Sequence, residues 1–394
     1  MKKTIKDFDL NNKTVLIRCD FNVPIKDNKI VDDNRIVESL ETIKYAIEKN
    51  AKVILFSHLG KVKSEEDKQK RSLELVSVRL SELLAKDVKF SSKTKGACLE
   101  EKAKQMECGE VLLVQNTRYE DFPNKLESGN NIELGKYWAS LGDVFINDAF
   151  GTAHRVHASN VGIASNLPSG IGFLIEKELK QLEQLENPNR PYAVILGGAK
   201  ISDKIEIVSH LVNIADKILI GGGMAFTFLK AKGIEIGTSI LDEESIDFCK
   251  ETLSKYSDKI ILPVDVKVTK EFEDSSNNRI VTIEEINDDE MGLDIGPNTI
   301  DLFKNELKEV KTIFWNGTLG YSEYENYKEG TVDILDYITS IDCNVVLGGG
   351  DTVAASKVFG YKDKVTFAST GGGATLEYIG GKILAGIDCI DNKE

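Results

Sequence analysis

Three of the four histidines in this 394-residue chain, His58, His154 and His157, fall within a set that also holds Arg18, Asp20, Asn22, Arg35, Lys61, Arg118 and Arg155. The set comes from five separate segments, each at or just after the end of a short apolar run. Guanidinium forks and imidazoles are what a small substrate bearing phosphate and carboxylate requires. Taken one at a time, each arginine could equally pair with a surface acid. The concentration of histidine tips the reading toward a site, and His210, on a helical stretch, reads as structural.

The second half of the chain offers a different chemistry. Its apolar runs are followed by glycine, in LGGAK (196–200), IGGGM (220–224), LGGGDT (347–352) and STGGG (369–373). Of 32 glycines, 22 lie at or after residue 197, so the asymmetry is not a matter of overall composition. A lone Gly-Gly reads as a tight strand-to-helix turn. Four in one half read as bare backbone prepared for nucleotide phosphates. Several familiar nucleotide and hydrolase signatures are absent: G-x-x-x-x-G-K-[ST], G-x-G-x-x-G after a strand, HRD with DFG, G-x-S-x-G and H-E-x-x-H.

The elements that must position these residues are legible as alternation. Apolar runs at Thr14–Ile17, Val53–Phe56, Val111–Val114, Val144–Ile146, Tyr192–Leu196, Lys217–Ile220, Ile260–Leu262, Thr312–Trp315, Asn344–Leu347 and Val365–Ala368 read as strands. Segments such as Arg35–Lys49, Leu73–Leu84 and Lys204–Ile214 carry apolar residues at i, i+3, i+4 and read as helices. Continuous apolar strands alternating with helices predict α/β architecture, with two doubly wound, Rossmann-like parallel sheets. Ligands of such sheets bind beyond the carboxyl ends of the strands. Residues 171–187 read as an interdomain helix and hinge (core Gly172–Glu186, ended by Asn187-Pro188), separating a domain over 1–170 from one over 188–375.

A formal net charge of −14 argues against nucleic acid and anionic membranes as partners. No run approaches the roughly 18 apolar residues of a membrane span, and the N-terminus lacks a signal-peptide core. Six scattered cysteines without CxxC spacing read as reduced, in a cytoplasmic protein.

The string Asn147-Asp148-Ala149-Phe150-Gly151-Thr152-Ala153-His154-Arg155 resembles the NDAFGTAHR signature of phosphoglycerate kinases. RCDFNVP (18–24), DNRIVESLETIKYAIE (33–48), SHLG (57–60), ILGGAKISDKI (195–205), IGGGMAFTFLK (220–230), FWNGTLGYSEYE (314–325), LGGGDT (347–352) and STGGGATLEYIGGK (369–382) match the same family in order, from about residue 13 to the C-terminus. The resemblance implies reversible phosphoryl transfer between 1,3-bisphosphoglycerate and Mg-ADP, giving 3-phosphoglycerate and Mg-ATP, by hinge closure in a monomer. It implies that Asp20 and Asn22 hold the glycerate hydroxyl and carboxyl end. His58, Lys61, Arg118 and Arg155 would hold its non-transferring phosphate, and Arg35 would stabilise charge at the reacting group. For the nucleotide it implies Gly198, Ala199, Gly223, Gly292 and Leu293 around adenine, Glu323 at the ribose, and Lys204 and Asn316 at the phosphates. Asp351 would bind Mg²⁺, flanked by Gly349, Gly350 and Thr352. Lys200 would contact the migrating phosphoryl group, with Gly371, Gly372 and Gly373 presenting a helix N-terminus to it. A tail of about 376–394 would return to the N-terminal domain. These roles suit phosphoryl transfer, which depends on positioning and charge neutralisation more than on a proton acceptor.

Three motifs depart from the family's usual pattern. Lys61-Val62 replaces Arg-Pro, keeping a charge but losing a bidentate fork. Gln115 and Thr318 replace a glutamate and a turn proline. From residue types alone, Asp351 reads equally as a helix N-cap, Lys200 and Lys204 as one solvated helix face, and Phe226 and Phe228 as core. A kinase for another small acid and a catalytically silent scaffold are the competing readings. The presence of Asp20, Arg35, Arg155, Lys200, Lys204 and Asp351 weighs against both.

Overall fold

The computed structural model describes residues 1–274 and 276–393. The chain forms two compact units, Met1–Lys180 with Ile383–Glu394, and Gln181–Lys382. The helix Phe173–Glu183 runs through the first division. The return to the first unit begins at Ile383, later than the expected 376. The helix Gly373–Ile379 packs on the helix Ile205–Ile214 and so stays with the second unit.

The first unit is built on a six-stranded parallel sheet in the order 88–91, 111–114, 52–56, 14–18, 144–147, 169–171. Its central strands are buried almost throughout because helices cover both faces. Pairing in register brings Arg18 level with Phe56 on one side and Asn147 on the other. The segments starting at Cys19, Ser57 and Asp148 therefore leave the sheet together. The expected helix over 35–49 is two helices, Asn34–Glu38 and Leu40–Glu48. Ser39 lies between them, with its Oγ donating back to the Arg35 carbonyl at 3.2 Å.

The second unit repeats the plan in the order 260–261, 217–220, 192–196, 312–316, 344–348, 367–368, all parallel. Leu196, Ile220, Asn316 and Gly348 end level with one another. The next residues are Gly197, Gly221, Gly317 and Gly349, so a row of glycine backbone caps the sheet. A three-stranded antiparallel sheet, 279–282, 265–269 and 291–295, was not foreseen from the sequence; it stands beside this row.

Candidate active site

In the first unit, Asp20 accepts a 2.8 Å hydrogen bond from Arg35 Nη1, which ties the start of the first helix to the end of strand Thr14–Arg18. Asn22 Oδ1 accepts from Gly60 N at 2.8 Å, so the RCDFN and SHLG segments are locked together. His58 is buried, with Nδ1 3.3 Å from Arg18 Nη2 and 3.9 Å from Asp20 Oδ1. Arg118 is buried and donates to Asp121 at 2.6 Å, while its Nε has no hydrogen bond. Arg155, half-buried, donates from Nε to His154 Nε2 at 3.3 Å. Lys61 is exposed on the loop after His58.

Charge and burial act in concert on the imidazoles. Burial first, then the guanidiniums of Arg18, Arg118, Arg155 and Arg35, push His58 well below the usual histidine range. The same causes, burial foremost and then Arg118 and Arg18, take His157 down to about 2. Both rings are neutral at physiological pH. Positive charge felt from four guanidiniums is the environment that an anion favours. Asp148, from the same signature string, serves a different end. It is buried, and its Oδ1 accepts from the backbone N–H of Leu174 at 2.9 Å and Ile175 at 3.2 Å. It thus holds the first turn of the helix Phe173–Glu183. Burial raises its carboxyl to about 7.

In the second unit a cavity of about 480 Å³ lies beyond the glycine row. Gly198, Ala199, Gly223, Gly292 and Leu293 line it, joined by Glu323 and Asp351. Side chains are excluded from its floor by contact. A Cβ at Gly292 would sit 2.0 Å from Phe226 Cζ, and one at Gly223 would sit 2.7 Å from Ile240 Cγ2. Gly198 is at φ +90°, which favours glycine for backbone reasons as well. Phe226, expected as core, is both core and cavity wall; Phe228 is core alone.

Lys204 reaches this floor, with Nζ 3.0 Å from the position a Gly198 Cβ would take. Burial lowers its pKa, while Asp203 and Asp351 oppose that shift. It precedes the helix Ile205–Ile214, as does Lys200, so the two do not share a helix face. Lys200 is exposed and adds to the pull of Ser202 on the Asp242 carboxyl, which lies below the usual range. Asp351 is exposed in the first turn of the helix Gly350–Val358. Among the described residues no three acidic, histidine or cysteine side chains gather as a metal site. One carboxylate at the cavity edge therefore fits a metal that arrives already coordinated by phosphates and water.

Asn316 and Thr352 are buried and engaged with the glycine row. Asn316 Nδ2 donates to Gly348 O at 2.8 Å, and Thr352 Oγ1 accepts from Gly317 N at 2.6 Å. Gly349 is at φ +88° with its Cβ position 2.3 Å from Asn316 Nδ2. At Gly350 and Gly372 a Cβ would meet nothing within 4 Å, so open space and not protein lies against that backbone. Gly371 N donates to Ser369 Oγ at 3.1 Å just before the helix Gly373–Ile379.

The apolar walls were missed in the sequence. Ile240, Val266, Phe272 and Tyr321 join the cavity from four distant segments, and Phe272 meets Tyr321 edge-on at 4.8 Å. Arg71 was missed as well. Its guanidinium lies over Gly60, 2.4 Å from where a Cβ would be. No spacing rule links these positions to the motifs.

A family model described as phosphoglycerate kinase matches residues 5–382. The chain is 54% identical to the phosphoglycerate kinase of Fusobacterium nucleatum over 398 residues and 55% identical to that of Listeria innocua over 394, covering 100% of both chains in each case. Among solved structures it resembles phosphoglycerate kinase from Coxiella burnetii, with TM-score 0.88 and 37% identity over 99% of this chain and 98% of that one. It also resembles the enzyme from Pyrococcus horikoshii, with TM-score 0.85 and 32% identity over 98% of each.

Proposed function

The chain belongs to the phosphoglycerate kinase family, and from that premise we propose how its two units divide the reaction. The enzyme transfers a phosphoryl group reversibly between 1,3-bisphosphoglycerate and ADP, giving 3-phosphoglycerate and ATP, a step of glycolysis.

The glycerate compound is assigned to the first unit. His58, Arg118, Arg155 and the exposed Lys61 take the non-transferring phosphate, and Asp20 and Asn22 take the hydroxyl and carboxyl end. Arg35 stabilises the charge that develops on the transferring group, and its pairing with Asp20 fixes the guanidinium before substrate arrives. The nucleotide is assigned to the second unit. Its base enters between Gly198, Ala199, Gly223, Gly292 and Leu293, and its ribose meets Glu323. Its phosphates pass Lys204 and the turns at Asn316, Gly349, Gly350 and Thr352. Lys200 and the turn at Gly371 and Gly372 receive the migrating group. Mg²⁺ held by Asp351 would neutralise phosphate oxygens when bound. No general base is needed, because both acceptors are already anionic.

One observation carries this reading. Five residues assigned to the base line a single cavity, at whose Gly223 and Gly292 a side chain would collide with Ile240 or Phe226, and Glu323 and Asp351 are on the same cavity. With substrates on separate units, transfer requires a bending motion that also keeps water from the acyl phosphate. Compaction in small-angle scattering on adding both substrates checks it. A monomer in the cytoplasm follows the family resemblance, and six unpaired thiols suit a reducing compartment. The partners are the small-molecule substrates; the charge of −14 disfavours nucleic acid and anionic membranes. Among the described residues no helix is long and apolar enough to cross a membrane.

The test is a coupled assay of ATP-dependent turnover of 3-phosphoglycerate with Mg²⁺, wild type beside Arg35→Ala. Loss of a preorganised electrostatic contact lowers kcat by roughly 100- to 1,000-fold. ADP affinity, read by calorimetry, stays unchanged. An Arg35→Ala enzyme with wild-type kcat overturns the assignment.

A further inference from the structure

We propose that Glu127 and Arg18 are positioning residues that hold His58 as its neutral Nε2–H tautomer, so that this imidazole meets the substrate phosphate as a hydrogen-bond donor and not as a cation. The proposal rests on the assignment of His58 to that phosphate.

Donor and acceptor roles along the chain of contacts leave one arrangement. Arginine has donors only. Arg18 Nη2 lies 3.3 Å from His58 Nδ1, so Nδ1 must accept and the ring proton resides on Nε2. The competing partner, Asp20 Oδ1, could hold a proton on Nδ1. It is 3.9 Å away, beyond hydrogen-bond reach. Arg18 is fixed in turn. Its Nη1 donates to the Cys19 carbonyl and its Nε donates to Ser159 Oγ at 2.8 Å. Ser159 can accept there because its own proton goes to Glu127 Oε1 at 2.5 Å. The second oxygen, Oε2, accepts from Ser159 N at 2.9 Å. Both oxygens accept from Ser159, and the Arg18 guanidinium favours the carboxylate form against the burial that disfavours it. Glu127 and Ser159 are fully buried, and Arg18 and His58 nearly so.

The charge balance supports the same picture. Burial raises the Glu127 carboxyl, and Arg18 and Ser159 oppose that rise. Around His58 stand Arg18, Arg118, Arg155 and Arg35, with Asp20 as the nearby carboxylate. A protonated His58 would face four guanidiniums. A neutral one adds a donor to the pocket without adding to that repulsion. Glu127 lies in the stretch LESGNN, where an acid reads as a solvated loop residue, so nothing in the sequence marks it.

The experiment is ¹⁵N–¹H correlation of the imidazole rings in the full-length, ligand-free protein, with His58→Gln to assign the signal. The expected result is an unprotonated Nδ1 and a protonated Nε2 at pH 7, unchanged at pH 5. An Nδ1–H tautomer or an imidazolium at pH 7 overturns the proposal. Glu127→Gln then removes the carboxylate that orients Ser159. It is expected to populate the Nδ1–H form and to raise KM for 3-phosphoglycerate about tenfold, leaving kcat and KM for ATP within about twofold. Arg18→Met, which offers no donor to His58 Nδ1 or Ser159, is expected to act in the same direction and serves if Glu127→Gln does not fold. A variant with an altered tautomer and unchanged KM overturns the functional half of the proposal and the phosphate role of His58, while the tautomer assignment stands.

Discussion

On the proposed assignment, the two units are prepared for anions by opposite means. The first gathers buried charge: Arg18, Arg118 and the half-buried Arg155 around two neutral imidazoles, each held by named partners. The second removes side chains: its cavity floor is glycine backbone, with Lys204 and Asp351 at the margin. The charged pocket loses stability unless each group is paired. The glycine floor loses conformational entropy and is fixed by close contact. The same sheet plan thus serves two recognition problems, and what differs is the first few residues after each strand.

The contrast should be visible in acid. His157 binds its proton only near pH 2 in the folded state, whereas the unfolded chain takes it up near 6.5. Below that value the unfolded state holds more protons, so stability falls as pH falls, by about 1.4 kcal/mol per pH unit from this residue. His58 contributes with the same sign. Asp148 in the same unit, raised to about 7, binds its proton preferentially in the folded state over this window and offsets the loss, so the effect is read in an Asp148→Asn background, where His157 should lower stability by about 2.3 kcal/mol from pH 6.5 to 4.5. A Trp315→Phe protein leaves Trp138, in the first unit, to report urea unfolding. An acid loss confined to the second unit would break the comparison.

Gly292→Val tests the other side. Its side chain must displace Phe226, and overpacking of about 1–3 kcal/mol corresponds to a rise of roughly 5- to 150-fold in KM for ATP. KM for 3-phosphoglycerate should not move. Thr352→Val removes the acceptor for Gly317 N and should lower the stability of the second unit by about 1 kcal/mol, measured by thermal unfolding. The smallest effect expected is from salt. Molar salt should weaken 3-phosphoglycerate binding several-fold and leave adenosine binding, which depends on the uncharged floor, unchanged in calorimetry.

Much of the fold was legible because strands buried on both faces are written as unbroken apolar runs. The run Val111–Val114 was placed to the residue, and Lys217–Ile220 likewise. The break at Ser39 was not legible, since its hydroxyl turns back to Arg35 inside a helical apolar pattern. The antiparallel sheet escaped because DVKVT and RIVT are short and mix polar with apolar residues. The structure brings Asp20, Asn22, Arg35 and His58 together as charged or polar groups following strands. It also shows what spacing cannot: Lys200 and Lys204 precede their helix, and Phe272 reaches Tyr321 through tertiary packing alone.

The glycine floor has a consequence for inhibitor escape. A compound lying on the backbone of Gly198, Gly223 and Gly292 would be read by atoms that every residue shares. Resistance by side-chain exchange could then only add bulk. At Gly292 that bulk strikes Phe226, at Gly223 it strikes Ile240, and at Gly198 it must adopt a φ of +90°. On the proposed assignment, each such change would also obstruct the nucleotide. The mutational routes around a floor-bound inhibitor are therefore few, whereas a compound held by Glu323 or Tyr321 at the rim leaves exposed side chains free to change.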